Sequence, residues 1–295
     1  MDKKYYFIVN PKAGEGRKLS HLSEIQSFCQ EHNLKYETVL TKQPKEATNL
    51  ARKAAHQFQV IVAVGGDGTV NEVVNGMVDS PAILGILPIG SGNDFAKEIG
   101  LSRNLKKDLK ILLEGQTKEV DVGLANSQYY FINGLGVGFD GEAASRVRQF
   151  TKYFGGYPAY LMAVLRTLAT YKFRKVKITL DQEHIMEQRI LLIATCNGKA
   201  YGGGFNVAPS AKIDDGLFTV CLVDKVSRLY ALRHLPKFTK GTHLKLPEVH
   251  TYTARNVIIE SDDELPSQAD GEILPLNNRF SIKILPRKIE IIVGK

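Results

Sequence analysis

The order of apolar and polar positions along the chain predicts two different halves. Up to residue 113, short β-branched runs alternate with segments of helical periodicity, which is typical of a doubly wound parallel sheet. The strands predicted there are 5–9, 36–40, 60–64 and 83–88, and the helices are 17–31, 44–58, 71–78 and 105–113. This half is therefore expected to be an α/β domain.

Strand patterns dominate the second half. Residues 119–123 and 129–137 are predicted to form a hairpin, and helix is predicted only near 140–170, with a helix at 156–171, and near 229–238. Further strands are predicted at 176–180, 188–196, 217–223, 255–261, 279–285 and 288–293. We place a domain boundary near residue 125, which gives an α/β domain at 1–125 and a largely antiparallel β domain at 126–285.

Two predicted strands of the first half end in glycine-rich turns. The turn GGDGT (65–69) follows strand 60–64, and the turn IGSGND (89–94) follows strand 83–88. Neighbouring parallel strands end at one edge of a sheet, where open α/β folds bind ligands. Glycines before a helix suit phosphate binding, and Asp67 fits there if a cation such as Mg²⁺ lies between carboxylate and phosphate. A capped tight turn is the alternative.

The composition narrows the class of protein. The 295 residues are 43% hydrophobic and 24% charged, as in ordinary globular proteins. We find no apolar run long enough to span a membrane and no signal peptide. Cys29, Cys196 and Cys221 are odd in number and far apart, which argues against a disulfide framework or a zinc site and predicts a reduced, cytoplasmic setting.

The net charge of +8 predicts an anionic partner. No zinc-finger spacing or RNA-binding aromatic signature is present, so we expect no nucleic acid. The segment 143–180 contains no acidic residue, and tyrosines interleave its basic residues: Arg146, Arg148, Lys152, Arg166, Lys172, Arg174, Lys175 and Lys177. Such a segment suits an anionic lipid surface, or it is a core helix with solvated charges on its outer face. The sequence leaves both open.

A third glycine motif, GVGFDG (136–141), has the form of a dinucleotide fingerprint. That fingerprint requires an acidic residue about 20 positions further on, and the acid-free segment occupies this region. We therefore expect these glycines to serve close packing at the domain junction. The sequence also lacks the pattern G-x-x-x-x-G-K-[ST], which excludes a P-loop kinase.

Two carboxylate-bearing turns complete the candidates. Asp214 and Asp215 lie in a turn before a strand, where Asp residues cap the turn or, with main-chain carbonyls, hold a hard cation. Glu272 follows an Asp-Gly turn, and a carboxylate can accept the proton of an alcohol during phosphoryl transfer. The glycine-rich loop 197–204 is either close to the site or a flexible hairpin.

The paired motifs GGDGTVNEV (65–73) and PIGSGNDFA (88–96) resemble the diacylglycerol kinase catalytic domain family. These are soluble bacterial lipid kinases related to the sphingosine and ceramide kinases, whereas GGDG alone is shared with NAD kinases and phosphofructokinases. The resemblance extends from Asn10 to Glu272. It implies a β-sandwich second domain and a C-terminal strand, 286–295, that joins the first domain.

The same resemblance implies ATP and Mg²⁺ as cofactors. It implies phosphate contacts from main-chain N–H groups of 66–72 and around Ser91, which stands where many members have Thr. Asp67 is implied to organise the catalytic Mg²⁺, Glu272 to act as general base, and Asp214 to be a local cap. A structural Mg²⁺ is implied at Asp215 and the carbonyls of Lys212 and Leu217. The implied nucleotide site comprises Asn10, Thr41, Gly65, Gly66, Asp67, Gly68, Thr69, Asn71, Glu72, Ser91, Asn93 and Asp94.

The expected function is a Mg²⁺-dependent lipid kinase that transfers the γ-phosphoryl group of ATP to a lipid hydroxyl, most simply diacylglycerol to phosphatidate. We expect a cytoplasmic protein, peripheral to an anionic membrane, whose exposed β edges would allow a homodimer. An NAD kinase-like enzyme and a non-catalytic nucleotide- or lipid-binding regulator are the alternatives. The glycine turns and Glu272 are expected to share one cleft.

Overall fold

The computed structural model describes residues 3–13, 18–151, 153–154 and 156–294. The first residue of the predicted helix 17–31 and the basic residue Lys152 therefore lie outside the described residues. The chain divides into two compact units, Met1–Val120 with Arg287–Lys295, and Asp121–Pro286.

The first unit is built on a parallel sheet in the order β4-β3-β1-β2. Residues 60–65 of β3 are buried along the whole strand, which explains its continuous apolar run, since helices cover both faces of such sheets. Ile291, near the C-terminus, pairs in parallel with Leu84 of β4. The elements are β1 (Lys4–Val9), α1 (Lys18–Glu31), β2 (Lys35–Leu40), α2 (Glu46–Ala54), β3 (Val60–Gly65), α3 (Asp67–Met77), β4 (Ile83–Pro88), α4 (Asp94–Glu98) and α5 (Leu105–Glu114).

Two helices of this unit differ from their predicted bounds. α3 begins at Asp67 rather than at residue 71, because Gly66 is extended and its carbonyl accepts the first helical N–H groups. α2 begins at Glu46 rather than at Pro44, because Lys45 adopts a left-handed conformation with φ of 67°. Both shifts arise from the conformation of one residue at a helix start.

The second unit is largely antiparallel. β9 pairs with β7, β8 and β10, and β12 pairs with β7, β8 and β13. The first strand below begins in the first unit and the last strand ends in it. The elements are β5 (Thr117–Ala125), β6 (Tyr129–Phe131), β7 (Gly134–Gly138), α6 (Phe139–Phe150), α7 (Gly156–Thr170), β8 (Arg174–Leu180), β9 (His184–Cys196), β10 (Phe218–Asp224), α8 (Arg228–Thr239), β11 (Val249–Ala254), β12 (Asn256–Ala269) and β13 (Glu272–Ile292). The predicted fold class, parallel α/β followed by antiparallel β, is confirmed.

The strand prediction was wrong at three places in this unit. The hairpin pairs β5 with β6, whereas β7 leaves it to pair with β9 and β12. The edge strand β11 was missed. The predicted strands 279–285 and 288–293 are parts of one long strand, β13, in which Arg287 takes a φ of 49°.

Candidate active site

The ends of four parallel strands meet at one edge of the first unit's sheet. Asn10 follows β1, Thr41 follows β2, and the two glycine turns follow β3 and β4. β2 lies on one side of β1 and β3 lies on the other, so the strand order changes direction between β1 and β3. Open parallel sheets bind ligands at such a switch point.

The first glycine turn is closed by the Gly66 carbonyl. This oxygen accepts the N–H groups of Thr69 at 2.9 Å and Val70 at 3.1 Å. The Thr69 hydroxyl accepts from Asn10 Nδ2 at 3.1 Å, which ties the residue after β1 to the first turn of α3. Because the amides of Thr69 and Val70 are used within α3, we limit the proposed phosphate contacts of this turn to the main chain of 66–68.

The second glycine turn lies directly against the first. A Cβ on Gly66 would stand 3.3 Å from the Gly90 Cα, and a Cβ on Gly90 would overlap Gly66. Asn93 adopts a φ of 55°, and its Nδ2 donates to the carbonyls of Gly90 at 2.7 Å and Pro88 at 3.3 Å. The buried Asn93 side chain therefore shapes the turn, and the close approach requires glycine.

Two carboxylates stand at helix starts beside these turns. Asp67 opens α3, and its Oδ1 accepts the N–H of Phe95 at 3.3 Å. Asp94 opens α4 with a nearly buried side chain and accepts from Lys97 Nζ at 3.0 Å. In the described ranges, no three His, Cys, Asp or Glu side chains are grouped so as to hold a metal ion. Mg²⁺ usually takes one or two carboxylates plus nucleotide phosphates and water, a donor set that Asp67 and Asp94 fit.

Other residues of the implied nucleotide site have structural contacts. Glu72 accepts the N–H groups of Lys45 at 3.0 Å and Ala47 at 3.1 Å, so it caps α2. The carbonyl and the side chain of Asn71 accept from Asn75 Nδ2 at 2.9 and 3.2 Å. Because the main chain of both residues lies inside α3, we remove their amides from the proposed phosphate contacts.

Thr41 and Ser91 differ in their exposure. Thr41 is buried, and its N–H donates to the Val9 carbonyl at 2.9 Å, so it continues the β1–β2 pairing. Ser91 is exposed at the second turn, and its carbonyl accepts from the Arg103 guanidinium. Ser91 is thus the more accessible of the two hydroxyls.

In the second unit, the buried Asp121 closes the loop that carries the implied structural metal site. Its N–H donates to the Ile213 carbonyl at 2.7 Å, and its Oδ2 accepts the N–H of Gly216 at 2.7 Å. Asp215 is exposed, and its Oδ1 accepts the N–H of Leu217 at 3.1 Å, which is the capping role expected of Asp214. The oxygen donors of this loop fit a hard cation.

We expect Asp215→Ala to lower the melting temperature by about 2–4 °C, because the loop loses its cap. We also expect the wild type, but not this variant, to melt at higher temperature with Mg²⁺ than with EDTA. Thermal melts under both conditions measure this, with Asp214→Ala as the matched control. A variant that kept the full Mg²⁺-dependent shift would contradict a metal site at Asp215.

The turn between β12 and β13 carries Glu272. Asp270 and Gly271 have φ of 48° and 87°, as in a two-residue hairpin turn. The Asp270 carboxylate accepts three main-chain N–H groups, from Ile132 at 2.7 Å, Asn133 at 3.0 Å and Gly134 at 2.9 Å. The Asp270 side chain thus fixes the turn to the main chain of residues 132–134, whereas the Glu272 side chain is partly exposed.

A chain of hydrogen bonds leads from this turn to Asp140. The N–H of Gly271 donates to Gln268 Oε1 at 2.7 Å, and Gln268 Nε2 donates to Asp140 Oδ2 at 2.8 Å. Tyr160 donates to the other carboxylate oxygen of Asp140 at 2.8 Å. Burial raises the pKa of the Asp140 carboxyl, and the bonds from Gln268 and Tyr160 oppose the shift.

Asp140 lies in the wall of an apolar cavity within the second unit. The space between its walls is about 800 Å³, a figure that includes the open solvent at its mouth. Its wall is formed by aliphatic and aromatic side chains of α7, α8, β9 and β10, among them Val164, Leu168, Leu191, Leu192, Val223, Leu235 and Phe238. Neither the cavity nor its connection to the turn of Glu272 was predicted from the sequence.

The motif 136–141 packs elements together, as predicted, but within the second unit rather than at the domain junction. A Cβ on Gly141 would overlap the main chain of Pro266 and Ser267, so α6 lies close against β12. The loop 202–204 also packs, because a Cβ on Gly202 would contact the Tyr160 ring. Tyr201 and Phe205 flank this loop and line the cavity.

Comparisons with known proteins agree with this fold. The profile described as a diacylglycerol kinase catalytic domain matches residues 4–125, and the profile of a YegS C-terminal NAD kinase beta sandwich-like domain matches residues 133–293. A crystal structure of a diacylglycerol kinase from Bacillus anthracis has a TM-score of 0.77 and 26% identity, and covers 99% of this chain and 97% of that chain.

Curated relatives of this chain are also named diacylglycerol kinase. A diacylglycerol kinase of Staphylococcus carnosus is 30% identical over 284 residues, which cover 94% of this chain and 92% of that protein. That of Bacillus subtilis is 29% identical over 274 residues, covering 92% and 90%. The chain therefore belongs to the diacylglycerol kinase family.

None of the helices in its described part has the length and apolar character needed to cross a membrane.

Proposed function

We propose that the protein is a Mg²⁺-dependent lipid kinase that transfers the γ-phosphoryl group of ATP to a lipid hydroxyl, with diacylglycerol as acceptor and phosphatidate as product. The apolar cavity of the second unit carries this proposal. A lipid acceptor has hydrocarbon chains beside its hydroxyl, and the cavity offers an apolar wall that is connected through Asp140 and Gln268 to the turn of Glu272.

The proposed roles follow from the contacts. Main-chain N–H groups of 66–68 and of the turn around Ser91 bind the phosphates of ATP, as helix starts do. Asp67 and Asp94 supply carboxylates for Mg²⁺, which when bound neutralises charge on the transferring phosphoryl group. Glu272 accepts the proton of the lipid hydroxyl.

The alternatives are less well supported. An NAD kinase-like enzyme would present the polar ribose of a dinucleotide as acceptor, and an aliphatic and aromatic cavity gives such a group few partners. A non-catalytic regulator would not need a carboxylate such as Glu272 to accept a proton.

We also propose that the protein meets its acceptor as a peripheral protein on a membrane.

Transfer of label from γ-labelled ATP tests the proposal. With Mg²⁺ and mixed micelles, we expect labelled phosphatidate from diacylglycerol and no labelled product from NAD. Label on NAD would favour the first alternative, and nucleotide binding without transfer to any lipid would favour the second.

A cavity-filling variant extends this test. Ala231→Phe should raise the KM for long-chain diacylglycerol at least about fivefold and leave the KM for ATP unchanged, because the new ring occupies the cavity. Ile185→Phe is the control, since Ile185 is exposed at the start of β9 and does not line the cavity. An unchanged KM in Ala231→Phe would remove the cavity from acceptor binding.

A further inference from the structure

Helix α8 presents two different faces. One face lines the apolar cavity with Tyr230, Ala231, His234, Leu235 and Phe238. The opposite face is exposed and carries residues at helical spacing: Arg228, Leu229, Leu232, Arg233 and Pro236. None of the residues of α8 is buried. The helix therefore covers the cavity on one side and meets solvent on the other.

Two leucine side chains on the exposed face of α8 are accessible to solvent. Leu229 is 77% exposed and Leu232 is 46% exposed, and they lie three residues apart on the same side of the helix. A single exposed leucine needs no explanation. Two of them flanked by Arg228 and Arg233 form the apolar and basic face that interfacial helices use on membranes.

The segment that contains α8 is basic, and a carboxylate bonded to the helix, Glu248, lies on its cavity side, where it accepts from Tyr230 at 2.7 Å. From Lys225 to Pro247 the sequence contains no Asp or Glu, and it contains Lys225, Arg228, Arg233, Lys237, Lys240 and Lys245. In the described part of the chain, no acid lies within salt-bridge distance of these cations, although the bond from Tyr230 and the nearby charges of His234 and Lys237 lower the pKa of the Glu248 carboxyl. The surface is therefore complementary to anionic headgroups.

The acid-free segment 143–180 differs in this respect. Arg146 pairs with Glu142, Arg174 with Asp263 at 3.3 Å, and Lys175 with Glu187 at 2.8 Å. Three of the eight cations of that segment are thus balanced by acids within the second unit, whereas no such pair is found in the described residues for the six cations around α8. This contrast favours α8 as the basic surface that a membrane would contact.

We propose that the exposed face of α8 docks on a bilayer that contains anionic phospholipid, with Leu229 and Leu232 inserted at the headgroup level and Arg228 and Arg233 against the phosphates. The proposal rests on the proposed function in one respect, since docking through α8 would bring the lipid acceptor to the cavity that this helix covers. Docking itself requires no catalysis.

Vesicle co-sedimentation tests the docking surface directly. We expect the wild type to bind vesicles of phosphatidylcholine with phosphatidylglycerol more tightly than vesicles of phosphatidylcholine alone, and less tightly as salt rises. Arg228→Gln with Arg233→Gln should weaken binding about fivefold per arginine. Leu229→Ser with Leu232→Ser should weaken it about tenfold or more, because the inserted apolar area is lost.

Matched control pairs come from other surfaces. Lys106→Gln with Lys110→Gln removes two exposed charges from α5, and Leu113→Ser with Ile185→Ser removes two exposed apolar side chains. Both should bind anionic vesicles as the wild type does. Equal losses in the control and α8 pairs, or no loss in the α8 pairs, would overturn the proposal.

An activity assay separates this inference from the proposed function. Each variant is assayed on diacylglycerol in neutral mixed micelles, where the α8 pairs should keep kcat within about twofold of the wild type. If no protein, wild type included, phosphorylates a lipid but the α8 pairs lose vesicle binding, docking through α8 stands and the proposed function fails. If transfer occurs and vesicle binding ignores α8, the inference fails alone.

Discussion

Glu272→Gln is expected to lower kcat for lipid phosphorylation by a factor of about 10² to 10⁴, the contribution of a positioned general base. Glutamine keeps the shape of the side chain but cannot accept the hydroxyl proton. Affinity for ATP should stay within about twofold, because the proposed phosphate contacts lie in the turns after β3 and β4. Steady-state kinetics with diacylglycerol and direct nucleotide titration measure the two quantities, and Glu272→Ala should behave alike.

Glu264→Gln is the control for this variant. Glu264 lies on β12 of the same unit and is exposed, so its substitution should leave kcat and stability near wild type. Melting curves of both variants show whether a loss of activity comes from chemistry or from unfolding. If kcat of Glu272→Gln stays near the wild-type value, the general base is a different residue.

The local parts of the candidate site could be predicted from the sequence. The sequence pattern predicts the turns GGDGT and IGSGND directly, because an apolar strand that stops at several glycines has few structural interpretations. The fold class was equally readable from alternating strand and helix patterns. The acid-free run from Lys225 to Pro247 is visible in the sequence too. The longer acid-free segment 143–180 was interpreted instead as the candidate for contact with an anionic lipid surface.

Contacts between distant parts of the chain could not be predicted in this way. The start of α3 depends on the extended conformation of Gly66, and the cap of α2 depends on Glu72, 27 positions after Lys45. The path from Gly271 through Gln268 to Asp140 includes a hydrogen bond between residues 128 positions apart, Gln268 and Asp140. Strand periodicity does not encode such pairs, so the cavity and its polar end emerge only from tertiary packing.

The contact between the two glycine turns leads to the second large effect. We expect Gly90→Ala to weaken ATP binding at least tenfold, because the added methyl group would overlap Gly66 and approach Asn93 Oδ1 at 2.8 Å. The turns would have to separate, at a cost of about 1–3 kcal/mol, and the main-chain N–H groups of 66–68 would lose their positions. Titration with a fluorescent ATP analogue measures the loss.

Gly115→Ala distinguishes this effect from a general loss of stability. Gly115 ends α5 in the same unit with a φ of 67°, so alanine there is strained by about 1–2 kcal/mol while both turns stay as they are. We expect Gly115→Ala to lower the melting temperature and keep its affinity for the analogue. Gly90→Ala should lose affinity even at temperatures where it is fully folded. Wild-type affinity in folded Gly90→Ala would show that ATP does not depend on the contact between these turns, and would remove the second turn from the proposed site.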